Sequence, residues 1–286
     1  MFEVQTVVAL HASRGAYPVQ DLLRAMQWGF REPWHAVVIN TSGSELLLES
    51  NRCTILTPDL GEQKIAPGFL RGIGIKWALD ESVQAKQFML LDDACMILQP
   101  GLDQWSYEHL SKTHVGIMGV VERYHRSDAY ARCTPIFDWW NLPHGEFEPD
   151  GRTLMDPAIF LSAEAAMTLY QRNLLVPDKC DQWPLGHGVY MSWVSQMLGL
   201  YQVGWGHTDK PMPPLYVHEH GNIRCQPGPH ILSPSFMLYY SARHATGYSE
   251  EDLREAFKRT RGEQAKETMP MRPVVSPEQR GPTALG

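Results

Sequence analysis

The sequence predicts an α/β protein whose central sheet contains parallel strands. Short apolar runs, such as residues 4–10 and 34–39, alternate with segments whose apolar residues recur at helical spacing. Strands that are apolar throughout suit a sheet covered on both faces, and their alternation with helices favours βαβ units. Of the 286 residues, 43% are hydrophobic and 20% are charged, which allows a large core and excludes disordered, collagen-like and coiled-coil classes.

The first third of the chain is predicted to fold as strand, helix, strand, strand and helix. These elements cover residues 4–10, 21–30, 34–39, 53–57 and 68–81. Pro18 stands where the first helix would begin, because proline is favoured in a first helical turn. Gly72 and Gly74 lie inside the second helix, where each costs about 1 kcal/mol relative to alanine. The order of these elements predicts the start of a doubly covered sheet.

The next apolar strand, residues 87–91, runs directly into Asp92 and Asp93. Carboxylates that end such a strand lie at the carboxyl edge of the sheet, where open α/β sheets bind their ligands. Carboxylate oxygens are ligands that Mg²⁺ and Mn²⁺ prefer, and the metal would bridge a diphosphate. The alternative interpretation is an ordinary acidic turn that closes a strand.

The remainder of the chain is predicted to contain strands at 114–121, 156–161 and 201–205 and helices at 163–172, 188–200 and 249–261. Residues 134–140 form an aromatic segment that includes Trp139 and Trp140. This tryptophan pair is interpreted either as a stacking platform for a sugar or base, or as core. The proline-rich residues 263–286 have few apolar anchors and are predicted to be a disordered tail. No interior linker is evident, so a single domain is expected.

Charge and cysteine content narrow the class further. The net charge is −7 and the pI is near 5.9, so no strong basic field favours nonspecific duplex binding. The five cysteines are widely spaced and odd in number, which favours free thiols in a reducing compartment. No targeting segment or membrane span is apparent, and a cytoplasmic location is expected.

Several segments together resemble the GT-A glycosyltransferases. A helix with basic Arg71 and Lys76 precedes an apolar strand ending in Asp92-Asp93, with Pro100-Gly101 after it. The first strand with its polar turn, and a second strand ending in Asn40-Thr41-Ser42, resemble the nucleotide-binding half of that family. The segment from Gly186-His187-Gly188 to Asp209, followed by Val217-His218, resembles the acceptor half. The resemblance covers about residues 4–220.

The resemblance implies a single GT-A-like, Rossmann-like domain with a mixed central sheet over residues 1–262. Its nucleotide-binding half would be about residues 1–102 and its acceptor half about 103–262. It implies Mn²⁺ or Mg²⁺ on Asp92, Asp93 and His218. It also implies a nucleotide-diphosphate sugar as donor, bound at the amino-terminal turn, the second strand end, the basic helix and the acidic strand end. These donor-binding candidates are His11, Ser13, Arg14, Asn40, Ser42, Arg71, Lys76 and Asp92.

Two positions depart from the family pattern. A strict Asp-x-Asp is absent, so the two metal positions fall either on Asp92 and Ala94 or on Asp93 and Cys95. Tyr190 aligns with the aspartate that serves as general base in inverting members, and a tyrosine with a pKa of about 10 is a poor base at neutral pH. The base candidates are then Asp156, Asp181 and His187, or the enzyme retains configuration and needs no base there.

The expected function is transfer of a sugar from a nucleotide-diphosphate donor to a hydroxyl acceptor with the help of a divalent metal. The sequence leaves the acceptor open among a polysaccharide, a small metabolite, a protein side chain and a modified DNA base. Two alternatives remain at this stage. One is a nucleotidyltransferase or nucleotide-sugar hydrolase on the same fold, and the other is a noncatalytic module that binds a sugar or nucleotide.

Overall fold

A computed structural model describes most of the amino-terminal 205 residues and two short strands beyond them. The described residues are 3–12, 16–48, 50–61, 63–93, 95–97, 100–111, 115–123, 127–145, 147, 152–205, 230–231 and 238–240.

The main sheet has seven strands in the order β3-β2-β1-β4-β7-β6-β8. Their bounds are β1 Glu3–Ala12, β2 Trp34–Asn40, β3 Cys53–Leu56, β4 Gln84–Asp92, β6 Val115–Arg123, β7 Arg152–Ser162 and β8 Tyr201–Trp205. The first four strands of this order are parallel, β7 runs antiparallel to both β4 and β6, and β8 is parallel to β6. The predicted α/β class with a mixed central sheet is confirmed.

Helices cover both faces of this sheet. Their bounds are α1 Ala16–Gly29, α2 Pro67–Asp80, α3 Leu102–Leu110, α4 Ser127–Trp139, α5 Ala163–Gln171 and α6 His187–Met197. Alternate β1 residues divide the core: Val8 and Leu10 pack with α1 and α3, whereas Val7 and Ala9 pack with α2, α5 and α6. This division explains why β1, β2 and β4 are apolar on both faces.

A second, smaller sheet has the order β5-β10-β9, with β5 at Cys95–Ile97, β9 at His230–Ile231 and β10 at Leu238–Tyr240. Its strands pair antiparallel, with Tyr239 opposite both Met96 and Ile231. The sequence did not predict this sheet, because runs of two or three residues carry no usable periodicity.

Two helices also differ from expectation. The aromatic segment at 134–140 belongs to α4, which contains Pro135, and the pattern did not predict α3. Packing of Phe137 and Cys133 in the core stabilises α4 despite the proline. The predicted helix at 249–261 and the predicted tail at 263–286 lie outside the described residues. Among the described residues, no helix is long and apolar enough to cross a membrane.

Candidate functional site

Three neighbouring parallel strands end in polar residues at one edge of the sheet. The β1–β4 register places His11 opposite Asp92, and the β1–β2 register places Ala12 opposite Asn40. Three donor-binding candidates therefore share the carboxyl edge of β1, β2 and β4, as the sequence predicted. This edge is the ligand-binding edge of open α/β sheets.

The turn after β2 is held by its own side chains. Asn40 accepts hydrogen bonds from the backbone N–H and the hydroxyl of Ser42 (3.1 and 2.8 Å), and its amide donates to the carbonyl of Ser44 (2.8 Å). His11 Nε2 lies 2.6 Å from the Thr41 hydroxyl and so ties the end of β1 to the same turn. Thr41 was not among the predicted site residues. Its position directly after Asn40 was the available signal.

Arg71 reaches this edge from α2, which begins with Pro67 at its first turn. The side chain is 2% exposed. Its Nη2 donates to the carbonyl of Asp156 (2.8 Å), and its Nη1 lies 3.8 Å from Asp92 Oδ2. Nε and Nη1 have no hydrogen-bond partner within the part of the chain that the structure describes. A buried guanidinium in this position acts on Asp92 and Asp156 rather than on a solvent-borne ligand.

Lys76 is placed differently from Arg71, although both lie on α2. Its ammonium forms an exposed ion pair with Asp80 (2.8 Å), and Asp80 also accepts from the Tyr170 hydroxyl (2.6 Å). The Asp80 hydrogen bond raises the pKa of Lys76. The structure therefore does not bring Lys76 together with the other donor-binding candidates.

The acidic end of β4 presents its two carboxylates in different surroundings. The Asp92 side chain is 22% exposed, whereas Asp93 is buried. Cys95 is also buried, and desolvation, followed by the nearby Asp92 charge, raises the pKa of its thiol well above the usual value. A thiol packed in the core under α1 is poorly placed to act as a ligand. Of the residues in the two alignments, Asp93 and Cys95 are both buried, whereas Asp92 is partly exposed.

Asp156 lies at the same edge because β7 runs antiparallel to β4. The register pairs Leu91 with Ala158, so Asp156, two residues earlier on β7, lies past the end of that pairing. Its Oδ1 accepts from the backbone N–H of Gly188 at the first turn of α6. This bond satisfies an N–H group that the helix leaves free. Asp156 is partly exposed, and it connects β7 to the start of α6.

His187 begins α6 and is 2% exposed. Its ring contacts Phe69 edge to face (4.9 Å between centroids) and lies directly over Gly68. Neither ring nitrogen has a hydrogen-bond partner among the described residues. Desolvation, and then the charge of Arg71, lower the pKa of His187 well below 6.5. The imidazole is therefore neutral near pH 7 and buried between the first turns of α2 and α6.

The remaining predicted residues lie apart from this group or outside the described ranges. Asp181 lies in an exposed 3-10 turn, Cys180–Gln182, and no described hydrogen bond or ion pair joins it to Arg71, Asp92 or Asp156. Ser13, Arg14 and His218 are not among the described residues. Tyr190 is buried, and its hydroxyl donates to the Leu174 carbonyl (2.5 Å). Desolvation raises its pKa well above 10, which fits a structural role.

The donor chemistry of this edge fits a divalent cation. Mg²⁺ is commonly held by one or two carboxylates together with substrate phosphates, and the partly exposed Asp92 provides such a carboxylate at this edge. Within the described ranges, no group of three or more His, Cys, Asp or Glu side chains is arranged to hold a metal without such help.

No family model matches the sequence, and no curated protein is significantly similar to it. Two glycosyltransferases are among the solved structures that match. The mannosyltransferase PcManGT from Pyrobaculum calidifontis, in complex with GDP-Man and Mn²⁺, is 10% identical over 71% of this chain and 55% of its own, with a TM-score of 0.42. Mouse xyloside xylosyltransferase 1, in its apo form, is 10% identical over 70% of this chain and 84% of its own, with a TM-score of 0.39.

This chain spans about half the length of the mannosyltransferase. Both of these solved structures are of glycosyltransferases. At these TM-scores they assign neither a substrate nor a site residue to this chain.

Proposed function

We propose that this chain is a glycosyltransferase that binds a nucleotide-diphosphate sugar at the carboxyl edge of β1, β2 and β4. The observation that carries the proposal is the meeting of His11, Asn40 and Asp92 at adjacent strand ends, with the Arg71 guanidinium 3.8 Å from Asp92. Polar strand ends at this edge suit a nucleotide, and the acidic end of β4 suits its diphosphate through a metal.

Asp92 and Asp93 are the proposed ligands of Mn²⁺ or Mg²⁺, with His218 as a further ligand. When bound, the metal supplies a Lewis acid that neutralises the charge on the departing nucleoside diphosphate. The Arg71 guanidinium, 3.8 Å from Asp92, offsets part of the negative charge of this carboxylate before the metal arrives. This division of roles explains why a cation is buried beside a partly exposed aspartate.

Asp156 is the proposed base that takes the proton from the acceptor hydroxyl. Of the three candidates, it alone is both partly exposed and located beside the end of β4. His187 is buried, and Asp181 is not joined to the site. The hydrogen bond to Gly188 uses Oδ1 of Asp156 and fixes the direction of its carboxylate.

A ligand screen tests the proposal. UDP-, GDP-, ADP- and CMP-sugars are added to the protein with Mn²⁺, with Mg²⁺ or with EDTA, and the melting temperature is recorded. At a concentration 100 times its Kd, a ligand specific for the folded state stabilises it by about 2.7 kcal/mol. We expect one nucleotide class to raise the melting temperature in a metal-dependent manner and to be hydrolysed slowly to the nucleoside diphosphate.

The reaction products distinguish the glycosyltransferase from the alternative functions. Release of pyrophosphate would indicate a nucleotidyltransferase, and stabilisation without turnover under any acceptor would indicate a binding module. Absence of stabilisation by all four classes of nucleotide sugar would contradict the proposal. Lys76→Ala serves as the matched control, because its ammonium lies away from the site and should leave binding unchanged.

A further inference from the structure

The Arg71 guanidinium is a buried cation whose hydrogen-bonding capacity is only partly used. Its Nη2 donates to the Asp156 carbonyl (2.8 Å), whereas Nε and Nη1 have no hydrogen-bond partner among the described residues. The side chain is 2% exposed, so water and salt screen its charge only weakly. The nearby His187 ring adds no charge near pH 7, because burial lowers its pKa well below 6.5. A poorly screened positive charge therefore lies beside the end of β4.

Asp92 is the carboxylate on which this charge acts most directly. Nη1 of Arg71 lies 3.8 Å from Asp92 Oδ2, which is too far for a direct hydrogen bond but close enough for Coulombic attraction. The Asp92 side chain is 22% exposed, so a ligand from solvent can reach it. Arg71 thus reduces the negative potential that Asp92 presents to an arriving cation.

Local packing holds the guanidinium at this place. Helices α2 and α6 meet at their first turns, where a Cβ on Gly68 would overlap the Cβ and the ring of His187. The ring of Phe69 also contacts that of His187, with 4.9 Å between centroids. Together with the hydrogen bond to the Asp156 carbonyl, these contacts keep Arg71 beside the end of β4. A cation that binds there is therefore repelled by a positive charge that stays nearby.

We propose that Arg71 makes metal binding at Asp92 conditional on the diphosphate of the donor. Repulsion between the guanidinium and a divalent cation weakens binding of the metal alone. A diphosphate carries several negative charges, and its attraction to both cations offsets this repulsion. Metal and diphosphate then each raise the affinity for the other by the same factor. This inference rests on the proposed glycosyltransferase function, and it makes Arg71 a positioning residue that acts through Asp92.

A purely structural role for Arg71 makes a different prediction. In that case the guanidinium serves only to satisfy the Asp156 carbonyl, and its charge has no effect on a metal. Arg71→Gln keeps an amide donor but removes the charge, whereas Arg71→Lys keeps the charge but changes the geometry. These two variants therefore separate the effect of the charge from that of the hydrogen bond.

Affinity for Mn²⁺ alone is the first measurement, because it needs neither a donor nor turnover. The full-length chain is titrated with Mn²⁺, and free Mn²⁺ is counted by electron paramagnetic resonance. We expect Arg71→Gln and Arg71→Met to bind Mn²⁺ about tenfold more tightly than the original chain, and Arg71→Lys to bind it as weakly as the original chain. Lys76→Met is the matched control, because it removes an equal charge from α2 at an exposed ion pair with Asp80. Its affinity for Mn²⁺ should be unchanged.

The titrations are repeated with UDP, GDP and ADP, and the Mn²⁺ that each nucleotide binds without protein is subtracted. At least one of these diphosphates should tighten Mn²⁺ binding to the original chain by about 5- to 150-fold, the range typical of coupled sites. The gain should be smaller in Arg71→Gln and Arg71→Met, because the repulsion that the diphosphate offsets is absent there.

Three outcomes would overturn the inference: Arg71→Gln binds Mn²⁺ alone no more tightly than the original chain, Arg71→Lys binds it as tightly as Arg71→Gln, or the diphosphates give an equal gain in all variants. The pair of Arg71→Gln and Arg71→Lys suffices if Arg71→Met proves unstable. Stabilisation of the original chain by nucleotide sugars is recorded separately. Its absence would contradict the proposed function, whereas its presence together with equal Mn²⁺ affinities would remove only the role of Arg71.

Discussion

Arg71 and Asp92 form an ion pair between a buried and a partly exposed side chain: the Arg71 side chain is 2% exposed, the Asp92 side chain is 22% exposed, and 3.8 Å separates Nη1 from Oδ2. At this distance no direct hydrogen bond joins the two groups. The guanidinium is fixed instead by its bond to the Asp156 carbonyl. One side chain of α2 thereby contacts both the end of β4 and Asp156 on the antiparallel strand β7.

We expect Arg71→Met to lower kcat/KM for nucleotide-sugar cleavage by about 10- to 100-fold, because a charged hydrogen-bonding group is typically worth about 1.5–3 kcal/mol. Arg71→Lys keeps the charge but not the two-armed geometry, so it should recover only part of the activity. Steady-state kinetics with a fixed donor measures both variants. Equal activity of Arg71→Met and the original chain would show that this pair has no role in turnover.

The double variant Asp92→Asn, Asp93→Asn should lose Mn²⁺ binding and turnover, since amide oxygens are neutral and weaker ligands than carboxylates. Mn²⁺ binding in the presence of nucleoside diphosphate is measured by electron paramagnetic resonance. His218→Ala should raise the apparent Mn²⁺ dissociation constant, and a rise in His220→Ala instead would move the proposed ligand by two residues. Full activity of the double variant in EDTA would exclude a metal role for this strand end.

Asp156→Asn should reduce kcat with little change in KM, because the amide still accepts from Gly188 N–H but can no longer take a proton. The carbonyl that accepts from Arg71 is unaltered. Asp181→Asn is the matched control and should retain activity. A larger loss in Asp181→Asn than in Asp156→Asn would reverse the assignment of the base.

Periodicity and strand-end chemistry located most of the main sheet and its ligand edge. The carboxyl-edge positions of Asn40 and Asp92 follow from where two apolar runs stop, which is visible in the sequence. The burial of Arg71 and the exposure of Lys76 cannot be predicted from the sequence pattern. Both residues lie on the same helix, and the residues around them in the sequence do not distinguish them. The exposure of these two side chains depends on β7 and α5, which contact α2 and come from distant parts of the chain.

The glycines of α2 permit close packing, which helix propensity alone does not predict. A side chain at Gly72 would overlap the Leu175 carbonyl, and one at Gly74 would press on Ala9 at 3.1 Å. These residues allow α2 to approach the sheet and the segment before α6 closely. Their cost to the isolated helix is offset by packing that becomes visible only in the folded chain.

The free energy of unfolding should fall as the pH is lowered below 6.5, and His187 should cause part of this fall. Burial lowers the pKa of His187 well below 6.5 in the folded protein, whereas the unfolded chain takes up this proton near pH 6.5. The unfolded state therefore binds more protons below pH 6.5, and His187 should cost about 1.4 kcal/mol of stability per pH unit there. Above that pH this dependence vanishes, because the imidazole is neutral in both states.

Urea unfolding between pH 5 and pH 8 measures this dependence. His187→Leu should reduce the slope below pH 6.5 by about one proton. His35, whose pKa is also lowered by partial burial, contributes in the same direction, and His35→Gln gives a comparison variant. An unchanged slope in His187→Leu would show that the ring is not buried as a neutral group.

The close approach of α2 and α6 at Gly68 and His187 should be detectable as a coupling energy. A Cβ at Gly68 would overlap both Cβ and Cγ of His187. Gly68→Ala should therefore destabilise the protein by about 1–3 kcal/mol, although alanine is the better helix former. Gly145→Ala is the control, since nothing lies within 4 Å of its added Cβ.

The choice of partner mutation makes this test specific. His187→Ala keeps the overlapping Cβ and should not rescue Gly68→Ala, whereas His187→Gly removes Cβ and ring together and should. A double-mutant cycle with Gly68→Ala and His187→Gly is expected to give a coupling of about 0.5–3 kcal/mol, the range for residues in contact. Additive effects of Gly68→Ala and His187→Gly would contradict the contact. Because α2 carries Arg71 and the start of α6 is held by Asp156, Gly68→Ala should also lower kcat/KM, and His187→Gly should restore part of that loss together with the stability.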